Sequence, residues 1–303
     1  MNDNKTLVTG GTGLVGHAIK DGIKLSSKDC DLRDTQNTLK LFRKLNPTHV
    51  IHCAARVGGV GGNMSAKGEY YYDNIMMNTN VLEVSRLIGV KKLVSFLSTC
   101  IFPDKVEYPL TEKKIHGGAP HSSNYGYAYA KRMLDVQTEV YREQYNVNFV
   151  SVVPTNIYGP HDNFNTENGH VIPSLIHKCY LAKENNTDFM VWGSGKSLRE
   201  FIYSEDVAEL TKWVLDNYDE TEPIIFTTGD EISIKDLVDI IVQCVGFKGK
   251  VVFDTNKPEG QFRKPADNTK LLTLFPEFKF TSVEDGLKET VNWFVENYER
   301  ARR

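Results

Sequence analysis

A run of glycines near the N-terminus most narrows what this chain can fold into. Gly10-Gly11-Thr12-Gly13-Leu14-Val15-Gly16 spaces glycines as G-x-x-G-x-x-G between the apolar stretch Thr6–Thr9 and a helical stretch over residues 14–19. A buried strand that ends in such a turn and passes at once into a helix is a dinucleotide-binding arrangement. Gly10 supports the tight turn, Gly13 lets backbone approach a pyrophosphate, and Gly16 permits close packing of helix on strand. The helix N-terminus then faces the phosphates. A glycine trio alone is weak; its place directly after an N-terminal strand carries the argument. The seven residues from Gly10 to Gly16 are the candidate pyrophosphate contacts.

The chain beyond continues the pattern. Residues 49–53, 93–97 and 149–153 are apolar runs of strand length, and residues 74–87 and 127–145 have helical periodicity. Strands alternating with helices predict an α/β fold, a Rossmann-type doubly wound parallel sheet covered on both faces. After Pro154 the character changes. Residues 158–170 are rich in Gly, Pro, Asn and His and read as a long functional loop. A helix over 172–183, a strand at Phe189–Trp192 and a helix at Ser204–Asn217 capped by Ser204 follow. A strand at 223–227 is expected to rejoin the main sheet, before helices over 233–245 and 282–298. The expected plan is a dinucleotide domain over residues 1–158 and about 200–228, with a smaller α/β C-terminal substrate domain over 159–199 and 229–303. The substrate should lie between them.

Charge and cysteine usage exclude other classes. A net charge of −3 gives no support to a nucleic-acid or acidic-membrane partner. No apolar run approaches a membrane span, and the polar N-terminus has no signal-peptide pattern. Cys30, Cys53, Cys100, Cys179 and Cys244 are odd in number and scattered, so neither a disulfide framework nor a zinc site is expected. Reduced thiols and a cytoplasmic location are the default.

The nicotinamide form turns on residues 24–29. An NAD site would carry an acidic residue about 20 positions after the turn. Here Ser27 and Lys28 suit a 2′-phosphate instead, which favours NADP; a solvated surface lysine is the competing reading. Asp31 and Leu32 suit the adenine edge, and Ala54-Ala55 ends the next strand near the nicotinamide half. Tyr127 and Lys131 are four apart on a helix and share a face. An ammonium beside a phenol should lower its pKa, so that Tyr127 can protonate a nascent alkoxide while Lys131 also reaches the ribose. Ser98, at a strand end, can hydrogen-bond a carbonyl oxygen. Tyr-x-x-x-Lys alone is common; its order after the glycine turn and Ser98 raises it.

This ordered set resembles the extended short-chain dehydrogenase/reductase family, nearly end to end. Further motifs narrow the resemblance: His52-Cys53-Ala54-Ala55-Arg56-Val57-Gly58-Gly59, Ser98-Thr99-Cys100-Ile101-Phe102-Pro103, Pro154-Thr155-Asn156-Ile157-Tyr158-Gly159-Pro160-His161-Asp162-Asn163-Phe164 and Gly169-His170-Val171-Ile172-Pro173. They are similar to those of NADPH-dependent members that epimerise and reduce GDP-4-keto-6-deoxy-D-mannose. That resemblance implies Cys100 as base and His170 as acid in epimerisations at carbons 3 and 5, whose protons the 4-keto group acidifies. The bland alternatives are a small buried hydrophobe and a loop histidine.

It further implies that Pro154, Asn156 and His170 line the cofactor side, with Asn156 also on the hexose. Lys178 and Arg199 would pair with the GDP diphosphate, in a segment headed by Trp192, and Lys264 is a nucleotide-side lysine. The family often has arginine at the Lys178 position, and lysine keeps the charge but loses the bidentate fork. A homodimer through the helices at 74–87 and 127–145 is likewise implied. The alternatives are another nucleotide-sugar epimerase of the family, a non-catalytic NADP sensor, and a structural or interaction protein.

Overall fold

The computed structural model describes residues 5–257 and 262–303; Gly260 and Gln261, in the run before Lys264, lie outside the described residues. The first half of the chain runs β1 (Thr6–Thr9), α1 (Leu14–Ala18), β2 (Ile23–Leu25), α2 (Thr35–Leu45), β3 (His49–His52), α3 (Val60–Ser65), α4 (Lys67–Leu87), β4 (Lys92–Phe96), α5 (Tyr125–Tyr145) and β5 (Phe149–Pro154). The second half runs β6 (Asn156–Tyr158), α6 (Val171–Glu184), β7 (Phe189–Trp192), β8 (Leu198–Tyr203), α7 (Ser204–Asn217), β9 (Ile224–Phe226), β10 (Glu231–Ser233), α8 (Ile234–Val245), β11 (Val251–Asp254), α9 (Thr269–Leu274) and α10 (Val283–Glu296).

Six strands form one parallel sheet in the order β2-β1-β3-β4-β5-β9. Its strands are short, and β4 and β5 are buried along their whole length, as expected of a sheet covered on both faces. One face packs through Leu7, Val50, Leu82 and Leu93 and the other through Val8, Val94, Leu210 and Phe226. The chain moves outward from β1 to β2 and returns on the other side at β3. The crevice where the order reverses therefore lies at the carboxyl ends of β1 and β3, where doubly wound sheets bind ligands. β9 pairs with β5, so the strand expected over 223–227 does rejoin this sheet.

A separate core, with Tyr158, Phe164, Ile176, Phe201, Leu237 and Phe294 at its centre, lies under α6, α8 and α10. Two small sheets border it: β10-β8-β6, and β11 beside β7. Helix ends follow local chemistry. Ser233 and Asp236 bond reciprocally at the start of α8, as do Ser282 and Asp285 at α10. Asn46 and Asn146 end α2 and α5 in the left-handed conformation.

Ser204 is not a cap. It is the first helical residue of α7, and Tyr203 holds the cap position without a side-chain bond. β8 was not foreseen from sequence; its Arg199 and Glu200 interrupt the apolar run of a strand. β2, α2, α3, β6, β10, β11 and α9 were also unforeseen, and α4 starts at Lys67 rather than at 74. No helix among the described residues is long and apolar enough to cross a membrane.

Candidate active site

Gly10 has φ +67°, and a Cβ there would lie 2.7 Å from Ala54 N, so only glycine lets the turn close on the end of β3. A Cβ on Gly11 would meet Lys24 Cβ at 2.5 Å, and Gly11 N donates to Leu25 O at 2.7 Å. Gly13 caps α1 from an extended conformation and donates to Gly10 O at 2.9 Å; Gly16 packs against the Gly10 and Gly11 backbone. Thr12 is exposed, and Leu14 and Val15 are half-buried behind it. Thr12 is thus the exposed point of the turn at the switch point, while Gly11 is buried against β2.

Polar groups of α4 fix the floor beyond it. His52 spans Thr9 Oγ1 (2.7 Å) and Asn78 Oδ1 (3.0 Å), and burial pulls its pKa down to about 3, so it stays neutral. Asn74 accepts from Arg56 N at 3.1 Å and donates to Arg56 O at 2.9 Å, which holds the backbone just after Ala54 and Ala55. Arg56 and Arg33 both grip the nearly buried Asp73. Sequence reasoning missed this set, though Asn74 and Asn78 stand four apart on what reads as an apolar helix.

At the end of β2, Ser27 and Lys28 line a cavity of about 440 Å³ together with Asn37, Lys40 and Lys44 of α2. Its two acids are already engaged: Asp29 accepts from Ser26 N and Oγ, and Asp31 from the Arg33 guanidinium. The three lysines have no such partner among the described residues. Leu32 is mostly buried in the core.

The proton-transfer groups converge past β4. Ser98 caps the short 3-10 turn Thr99–Ile101, accepting from Cys100 N at 3.4 Å, and its hydroxyl pulls down the pKa of both the Tyr127 phenol and the Cys100 thiol, as a group lying beside each would. Lys131, 2% exposed, donates to Phe96 O at 2.8 Å, and burial lowers its pKa to about 8. The expected lowering of Tyr127 by Lys131 is corrected. Burial raises the phenol well above its ordinary value, the Cys100 charge adds to that, and only the Ser98 bond opposes them. Burial also raises the Cys100 thiol, against the opposing pull of Ser98, Lys264 and Lys131.

His170 stands apart, exposed, at the N-cap of α6. Its loop is tied to the cofactor side by Gly59 N donating to Asn168 O at 3.0 Å. Pro154 ends β5 buried, and Asn156 opens β6, its amide on Glu200 O at 2.8 Å. On the far side Trp192 is 52% exposed, with Lys178 Nζ 4.6 Å and Lys257 Nζ 5.5 Å from its ring centre. Arg199 leans on Leu198 O and Phe262 O. Lys264 departs from the nucleotide-side expectation in one respect: its ammonium lies on Thr99 O at 2.9 Å, inside the Cys100 turn.

The model of the NAD dependent epimerase/dehydratase family matches residues 6–229. The chain belongs to that family. Among curated relatives, this epimerase/dehydratase-family chain is 51% identical to a GDP-L-fucose synthase of Dictyostelium discoideum, over 98% of this chain and 97% of that one. It is 44% identical to a probable GDP-L-fucose synthase of Drosophila melanogaster, over 99% of each. A crystal structure of a GDP-L-fucose synthetase from Naegleria fowleri bound to NADP superposes with a TM-score of 0.96 at 49% identity, covering 100% of this chain and 96% of that one. In this family member the same fold surrounds the glycine turn, the Ser98 turn and the α5 tyrosine and lysine.

Proposed function

We propose that the chain is an NADPH-dependent epimerase and reductase that converts GDP-4-keto-6-deoxy-D-mannose into GDP-L-fucose. The observation that carries this is the shared serine: the Ser98 hydroxyl, which accepts from Cys100 N, acts on both Tyr127, which a reduction needs, and the Cys100 thiol, which a plain ketoreductase does not. The near-full-length identity to GDP-L-fucose synthases supports GDP-L-fucose as the product.

The residues fit the dinucleotide. The glycine turn exposes Thr12 at the switch point, just before the N-terminus of α1, and Ser27, Lys28, Lys40 and Lys44 offer a hydroxyl and three ammoniums to a 2′-phosphate. When bound, NADPH supplies a hydride to carbon 4. The protein's own groups do the rest. The Cys100 thiolate takes the proton from carbon 3 or carbon 5. The C–H electron pair passes into an enolate whose oxygen Ser98 and Tyr127 hold, and His170 returns a proton to the opposite face. In the reduction Tyr127 gives its proton to the carbon 4 oxygen, and Lys131 stabilises the phenolate left behind.

Arg199 and Lys178 take the diphosphate, Trp192 the base and Asn156 the hexose. In this scheme the six-stranded sheet with its helices binds the cofactor, and the part built on the second core, with Asn156 at its edge, binds the sugar nucleotide. The exposed face of α4 and α5, where Lys67, Tyr71, Tyr125, Tyr129 and Met133 border a cavity of about 410 Å³, is where a second copy docks to make a homodimer.

Product analysis in deuterated water tests the assignment. Tyr127→Phe should cut NADPH consumption by roughly 100-fold or more while deuterium still enters carbons 3 and 5. Cys100→Ser should slow that entry and leave NADPH binding intact. Turnover near normal in Tyr127→Phe, or unchanged deuterium entry in Cys100→Ser, rejects the corresponding role.

A further inference from the structure

Both carbonyls that flank Cys100 are bound by cations from elsewhere in the chain. Lys264 Nζ donates to Thr99 O at 2.9 Å. Arg132 donates to Ile101 O through Nε at 3.0 Å and also through Nη2, while its Nη1 holds Gly118 O at 2.7 Å. Arg132 is 5% exposed, and neither cation donates to a carboxylate among the described residues. Burial holds both below their ordinary pKa, and in each case the Cys100 charge pulls the other way.

The segment that delivers Lys264 is itself pinned. Ala266 N donates to the Glu200 carboxylate at 3.1 Å, Leu110 N to Pro265 O at 2.8 Å, and Asp267 N to Leu110 O at 2.9 Å. A carbonyl oxygen is satisfied by any neutral donor. Burying a positive charge for that purpose alone is costly, since the charge loses its hydration; Arg132 has the Tyr129 ring 5.3 Å away and Lys264 feels the Asp104 charge, but neither is bonded to a counter-ion among the described residues. The charge becomes useful when the sulfur between the two carbonyls turns negative.

We propose that Lys264 and Arg132 are positioning residues for the epimerisation, clamping the two sides of the Cys100 turn and holding the negative charge of its sulfur. This rests on Cys100 being the epimerisation base. Lys131 faces the same sulfur from α5, but its ammonium is committed to Phe96 O and to the reductive step. Lys264 and Arg132 have no part in that step.

The test separates charge from hydrogen bonding in the full chain with NADPH. Lys264→Gln keeps a donor for Thr99 O and removes the charge; Lys264→Arg keeps both. One measurement is the pH dependence of Cys100 alkylation by iodoacetamide without substrate, read by peptide mass spectrometry. The other is deuterium entry at carbons 3 and 5. Lys264→Gln should raise the apparent thiol pKa by roughly one unit or more and slow deuterium entry about tenfold at pH 7, with NADPH affinity unchanged. Lys264→Arg should restore both towards native values. A native alkylation profile in Lys264→Gln overturns the clamp and leaves the role of Cys100 standing. A shifted profile with native deuterium entry rejects Cys100 as the base, and the proposal with it.

Discussion

Tyr127 keeps its proton. Burial holds the phenol neutral well past the physiological range, the state a proton donor needs when an alkoxide forms beside it. Lys131 is the group of the pair that titrates within reach, near 8. Its ammonium is present below that value and lost above it, so kcat/KM for the reduction should fall as pH rises through about 8. A profile that stays flat to pH 9.5 would rule Lys131 out as the cation that matters. Their common place on α5 was legible in the sequence, because residues four apart on a helix share a face. The direction of the phenol shift was not. Spacing shows who is adjacent, whereas burial depends on chain that arrives much later. Lys264 illustrates the same limit: nothing in its local run says that its ammonium reaches back to Thr99.

Among the elements, those with a full apolar face or a cap signal were readable: β1, β3, β4, β5, α5, α6 and α8. The misses have different causes, and α2, eleven residues long and capped by Asp34, was readable by the same signs. β2, β6 and β10 have three residues each, too few for periodicity. β8 carries Arg199 and Glu200 because of what those side chains do, so its pattern is broken by function. α4 is the most instructive element. Its inward face holds Asp73, Asn74 and Asn78 to serve the strand ends, and its outward face carries Tyr71 and Tyr72, 43% and 57% exposed. Tyr125 at 49% and Val140 at 44% continue that surface on α5. A surface of this kind needs a cover. Tyr72→Asp should convert the proposed dimer to monomer in sedimentation velocity, with the far-ultraviolet spectrum unchanged; an unaltered sedimentation coefficient would place the interface elsewhere.

For the whole molecule, Glu200 is the joint. It sits on β8, accepts Thr227 Oγ1 at 2.8 Å just after β9, and receives the backbone of Ala266. Burial raises its pKa from 4.5 to about 7. The folded state therefore favours the neutral acid. The stability this gives is complete below about pH 4.5, is lost as pH climbs towards 7, and is gone above that. The 2.5-unit difference corresponds to roughly 3 kcal/mol. Glu200→Gln, neutral at every pH, should flatten the decline of Tm between pH 5 and 8; an equally steep decline in the variant would assign it to other groups.

The contact between Lys264 and Thr99 spans 165 positions of chain, and that distance is also an interval of time. On a ribosome, Ser98, Tyr127 and Lys131 are all made before the lysine that steadies the Cys100 turn. Because folding during synthesis proceeds from the N-terminus, the groups assigned to reduction emerge early. Cys100 emerges among them and His170 soon after, but the lysine that clamps the Cys100 turn waits for the last sixth of the polypeptide. A nascent chain therefore carries its Cys100 turn without the Lys264 clamp until most of the polypeptide has been made.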